Sequence, residues 1–159
     1  MTKPTLRSAL PVVAAALLSA VPASLMADSI KPFSDAVEAS QEAMGLSAFV
    51  ITSKPTDGFG PLEANLKDHQ AYLHELEKRG VLLMAGPLSD TEPEEWSGDG
   101  LLIYLAQDEA AARKIADGDP LHRSGARTYT VRRWLINEGS VTVRLRLSDQ
   151  SSEFVRPSE

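Results

Sequence analysis

Two short, nearly continuous apolar runs, Val81–Leu88 (VLLMAGPL) and Gly100–Ala106 (GLLIYLA), most constrain what this chain can become. Each reads as an interior strand with apolar residues on both faces. Only a polar, acidic loop, Ser89–Asp99, separates them, and it carries Trp96. Strands of this kind need a helical layer on one side and a further cover on the other.

The flanking segments supply the layer. SAFVITS lies between Gly45 and Pro55 and is rich in β-branched residues, so it reads as a strand. After the loop KPTDGFGP, Leu62–Arg79 places Leu62, Leu66, Leu73 and Leu76 at helical spacing and stops at Gly80. Asp108 is placed to cap a second helix, DEAAARKIAD, which closes at Gly118, and Pro120 prevents its continuation. RTYTVRRWLI and SVTVRLRLS both alternate, and Asn137–Ser140 between them reads as a hairpin turn. In the second run Val141, Val143, Leu145 and Leu147 share one face.

The order β-α-β-β-α-β plus a C-terminal strand predicts an α+β, ferredoxin-like sandwich with two helices on one face of an antiparallel sheet. Leu82, Met84, Leu101 and Ile103 alternate with other apolar residues, so both faces of the central strands are apolar. One helical layer covers one face. A second copy of the same sheet is the expected cover for the other, which predicts a homodimer.

A chain of 159 residues suits one compact domain, expected over residues 46–148. Residues 28–45 form a lead-in, in which Asp35 and Glu38 resemble the capping box of a brief helix. Residues 149–159 form a polar tail expected to be loose. The first 27 residues read as a signal peptide. Lys3 and Arg7 open it, and the uncharged run Ala9–Val21 falls short of the roughly 20 residues of a membrane-spanning helix. Small residues offer cleavage after Ala23 or Ala27, with Ala27 preferred because Asp28 opens the polar part of the chain, which predicts a periplasmic or secreted protein with no stable membrane span left.

The chain has no cysteine, which excludes disulfides, thiolate nucleophiles and cysteine-ligated metal centres. Its net charge of −6 makes it a poor partner for nucleic acid. The expected partner is a small-molecule ligand. No metal and no organic cofactor is implied, since no ligand cluster and no phosphate-cradling glycine loop occurs.

His69 is the leading candidate for chemistry. At about 100° per residue it falls inside the arc spanned by Leu62, Leu73 and Leu76, so its ring is aimed at the apolar interior. A buried imidazole needs a partner. Asp119, at the end of the second helix, is a plausible one, because a carboxylate orients one ring nitrogen and favours base chemistry at the other. An Asp before a Pro is also a common turn element, so capping of backbone amides near Gly118 stands beside that pairing. His74 lies about 140° from His69 on the helical wheel and points to solvent. His122 follows Asp119 closely, to line the same pocket or to ride on the loop.

Gly86 and Pro87 end the second strand, where a glycine permits close approach of a ligand or of the neighbouring helix. Arg127, Arg132, Arg144 and Arg146 scatter over the terminal strands, either to attract an anion or to protect exposed strand edges. Trp96 is placed to cover a pocket or to pack at a dimer seam.

The segments LKDHQAYLHELEKRGVLLMAGPL, GLLIYLAQDEAAARKIADGDPLHRSGA and YTVRRWLI together resemble the YCII-related (YciI-like) domain over about residues 46–136. The resemblance implies a dimeric α+β barrel with its pocket between helices and sheet. It also implies a His–Asp pair for acid–base chemistry, at His69 and Asp119 here. One such relative eliminates chloride from a hydroxylated aromatic ring. The family commonly carries an arginine three residues before the histidine, with a serine nearby. This chain has Leu66 and Ala64 there. Two readings follow: a cofactor-independent isomerase or lyase, or a non-catalytic small-molecule-binding or accessory protein of the envelope. A third is a purely structural oligomerisation domain whose pocket is filled by side chains.

Overall fold

The computed structural model describes residues 30–155 except 41 and 44, so the expected signal peptide lies outside the described residues. Within the described residues the elements are α1 (Phe33–Ala39), β1 (Leu46–Pro55), α2 (Gly60–Lys78), β2 (Leu82–Pro87), β3 (Gly100–Tyr104), α3 (Glu109–Gly118), α4 (Pro120–Arg123), β4 (Arg127–Ile136), β5 (Val143–Arg146) and β6 (Ser151–Phe154). No helix among them is long and apolar enough to cross a membrane.

Four strands form one antiparallel sheet in the order β2-β3-β1-β4. That order is the ferredoxin-like one, and the class is α+β. β1 lies between β3 and β4, with Ile51 opposite Leu102 on one side and Val131 on the other. Helices cover the face these residues share. Ile51, Leu102 and Tyr104 of the sheet pack with Leu76 of α2 and Ala116 of α3, and Tyr72, Leu73, Leu82 and Ile115 close around them. Ala112 and Ala116 are fully buried, and their small side chains let α3 lie close to the strands. Asp108 caps α3, with its Oδ1 accepting from the Ala111 N–H at 2.7 Å.

β2 departs from the expected interior strand. The sheet order makes it an edge, and most of its residues are exposed. A bulge between Leu82 and Met84 also breaks its alternation. Leu82 opposes Tyr104 and joins the helix-side core, whereas Met84 opposes Ile103 on the other face. Met84 is 54% exposed there, and Trp134 of β4 is 43% exposed on the same face.

The C-terminal half of the expected hairpin also differs. Asn137–Ser140 does not fold the chain back onto β4. β5 pairs instead with β6, so part of the tail expected to be loose supplies a strand of a separate two-stranded ribbon. Alternation marks a strand but does not name its partner, and Ser151–Phe154 carries no alternating apolar signal of its own. The capping box in the lead-in is not formed either. α1 starts after Pro32, and Asp35 sits within its first turn without a side-chain cap bond. α1 is tied to the end of β4 by Asn137, which donates to Ser40 Oγ at 2.7 Å, and by Arg133 stacked on Phe33.

Candidate active site

α2 carries His69 on its inward side, and the turn between α3 and α4 carries Asp119. The two side chains meet: His69 Nδ1 lies 2.8 Å from both Asp119 oxygens. A carboxylate accepts, so Nδ1 holds the ring proton and donates it, and Nε2 is left as the free base of the neutral ring. The His69 side chain is 17% exposed and that of Asp119 is 1% exposed. A buried carboxylate requires several donors. Besides His69, Asp119 accepts from the Leu121 N–H at 2.9 Å, so it ends α3 and starts α4 at one residue. Pairing with His69 and capping of the turn, alternatives from the sequence, are performed together.

Tyr72 and Gly118 hold this arrangement. Tyr72 lies one turn beyond His69, and its hydroxyl donates to the Ile115 carbonyl at 2.7 Å, joining α2 to the end of α3. A Cβ on Gly118 would stand 2.6 Å from that hydroxyl oxygen. Glycine is therefore needed for close approach, and the approach brings Asp119 to His69.

His69 opens on a cavity of about 430 Å³ between α2 and the β2–β3 end of the sheet. That volume is in the range of small-molecule sites, roughly 300–1,000 Å³. Leu62, Leu66 and Leu73 of α2 form much of its apolar wall, and Gly86 and Pro87 lie on the opposite side. A Cβ on Gly86 would meet nothing within 4 Å, so neither a helix nor another neighbour demands glycine there. Trp96 also lines the cavity. Its ring meets Phe59 edge-on at 5.3 Å, and its Nε1 donates to the Asp99 carbonyl at 2.6 Å.

His122, which the sequence leaves either on the pocket or on the loop, is not among the residues that line this cavity. Its Nδ1 is 2.8 Å from the Ala116 carbonyl, and its Nε2 is 2.8 Å from Ser53 Oγ. A carbonyl only accepts, so Nδ1–H donates to it, and Ser53 donates its hydroxyl proton to Nε2. Burial, opposed by the Ala116 bond and the Asp119 charge, pushes the His122 pKa down and keeps the ring neutral. Both nitrogens are occupied by protein. His74 is exposed, as its place on the wheel requires.

Ser53, which the sequence does not single out, and Arg127, which it leaves between anion attraction and edge protection, both line the cavity. Arg127 Nη1 donates to the Ser53 carbonyl at 3.2 Å and approaches its Oγ at 3.3 Å, while Nη2 donates to the Gly98 carbonyl. A signal for Arg127 existed. It shares strand parity with Tyr129 and Val131, both packed against the core, and so faces inward. Ser53 was hidden within an apolar run, where a lone hydroxyl is unremarkable.

Among the described residues no three His, Asp or Glu side chains converge as a metal site would need. The sequence profile of the YCII-related domain matches residues 47–135, more than half of the chain. The chain belongs to the YCII-related domain family. This YCII-related protein is also similar to a solved structure, the 5-chloro-2-hydroxyhydroquinone dehydrochlorinase of Burkholderia phenoliruptrix in complex with 2,5-dihydroxybenzoquinone. The two share 22% identity with a TM-score of 0.42, over 55% of this chain and 92% of that one. Comparison with the curated proteins finds no match.

Proposed function

We propose that this YCII-related protein is a cofactor-independent enzyme that moves a proton on a small organic substrate, in an isomerisation or elimination. The observation that carries this reading is the His69–Asp119 pair set into the wall of an apolar cavity. His69 is the catalytic residue: Nε2 accepts a proton from bound substrate and returns it to the product or the leaving group. Asp119 is a positioning residue. It fixes the tautomer, aims the ring, and offsets the positive charge that the ring gains in mid-reaction. The apolar leucine wall lowers the local polarity beside the pair, which strengthens that charge interaction.

The reading includes export and a homodimer. The exposure of Met84 and Trp134 on the sheet face away from α2 and α3 supports the dimer, and sedimentation at micromolar concentration tests it. For the chemistry, small enolisable ketones and halogenated phenols are offered in heavy water, and deuterium uptake or halide release is followed. Turnover by wild type that falls at least about 100-fold in His69→Ala supports the assignment. Full turnover in that variant overturns it. A second reading, ligand binding without turnover, is favoured by Leu66 standing where the resemblance implies an arginine. Binding of panel compounds with no turnover of any selects it.

A further inference from the structure

Arg127 is a half-buried cation with no ion-pair partner among the described residues. No carboxylate of a described residue lies within ion-pair distance of its guanidinium. The nearby acids are otherwise engaged: Asp99 pairs with Lys54 at 3.1 Å, and Asp119 with His69. Glu63, the other acid on the cavity wall, is exposed. The Nε of Arg127 is buried and has no hydrogen-bond partner among the described residues.

The fork is held rigidly even so. Nη1 is fixed on Ser53 and Nη2 on the Gly98 carbonyl, and neither contact neutralises charge. The room for it comes from Gly100, where a Cβ would approach Nη1 to 3.0 Å. Burial lowers the pKa of the group, and the charges of Asp119 and Asp99 act the other way. A desolvated, immobilised guanidinium facing a cavity is an incomplete ion pair, and a bound anion completes it. The rest of the wall decides what kind of anion. It is largely apolar and aromatic, with Leu62, Leu66, Leu73 and the Phe59–Trp96 pair, and among the described residues it offers no second lysine or arginine.

We infer that the cavity takes a planar organic monoanion, a carboxylate or a phenolate, whose charge sits on Arg127 while its apolar body lies against the leucines and Trp96. This rests on the cavity being the ligand site of the proposed function. Asp99 and Glu63 on the same wall oppose a dianion.

The test is titration calorimetry of the full mature chain with benzoate, with benzamide as its neutral isostere, and with 4-nitrophenolate at pH 8. Wild type is expected to bind benzoate or 4-nitrophenolate about tenfold or more tightly than benzamide. Whichever anion binds more tightly identifies the headgroup, and either supports the inference. Arg127→Met should bring that preference to within about twofold while benzamide binding persists, and Arg127→Lys should keep part of it. Wild type that shows no anion preference, or binds none of the three, overturns the inference without any variant having to fold. So does a preference that survives in Arg127→Met. His69→Ala separates the two proposals. Anion preference retained there with turnover lost supports both; turnover retained with the preference still dependent on Arg127 removes the acid–base reading and leaves the anchor.

Discussion

His69 and His122 are held in the same way and left in opposite conditions. Each donates Nδ1–H to an acceptor 2.8 Å away, a carboxylate for His69 and a backbone carbonyl for His122. They differ at the other nitrogen. His69 Nε2 has no hydrogen-bond partner among the described residues and its ring lines the cavity, whereas Ser53 closes off His122 Nε2. Their partners differ in charge as well. A carboxylate can balance a proton arriving on the ring, and a carbonyl with a buried hydroxyl cannot. An inward-facing histidine near an aspartate is therefore not enough to name an acid–base group; the second nitrogen decides.

The sharpest way to break this contrast is to exchange the losses. His69→Ala should lower turnover by about 10²–10⁴-fold at little cost to thermal stability. His122→Gln should leave turnover within a few-fold and lower stability by about 1–3 kcal/mol, because Ser53 and the Ala116 carbonyl lose well-placed partners. Rates and melting curves on both variants decide it, and the same loss of turnover in each would erase the distinction. Asp119→Ala should cost about 3 kcal/mol or more, since the His69 and Leu121 N–H groups lose one acceptor together. Denaturant titration reads this directly.

The support behind the pair yields a smaller effect. Gly118→Ala should destabilise by about 1–3 kcal/mol by driving the Tyr72 hydroxyl from its place. Adding Tyr72→Phe should make the double variant less unstable than the two single losses summed, which a double-mutant cycle measures. The smallest effect is in pH. The His122 pKa is lowered in the folded state from its ordinary 6.5. Below pH 6.5 the unfolded chain therefore binds the proton more readily, so this contribution is complete above 6.5 and is lost as pH falls through the folded value. His122→Gln should flatten the pH dependence of stability in that acidic window.

Much of the frame was legible because it follows local rules. The leucine spacing of α2 fixed which side of the helix His69 faces, Asp108 announced α3, and the element order implied the sheet. What escaped depends on contacts across the chain or on a single extra residue. The bulge at Leu83 reverses the parity of β2 without altering its composition. The pairing of β5 with β6 depends on a partner with no apolar signature. The tautomer of His122 rests on Ser53, which is 69 residues away in the chain. Arg127 was legible in part: composition groups it with Arg132, Arg144 and Arg146 as a candidate anion attractor, but only its parity with Tyr129 and Val131 separates it from those three, all of which are exposed.

The irregular β2 strand bears on how this molecule meets its neighbours. An apolar strand at the margin of a sheet ordinarily offers an unbroken row of amides on which a further chain can be added, and stacking of that kind has no natural end. Here the row is interrupted by the extra residue near its start and by Pro87, which has no N–H to give, at its finish. Growth of the sheet sideways is thereby discouraged, which suits the proposed pairing of just two copies, face to face rather than edge to edge.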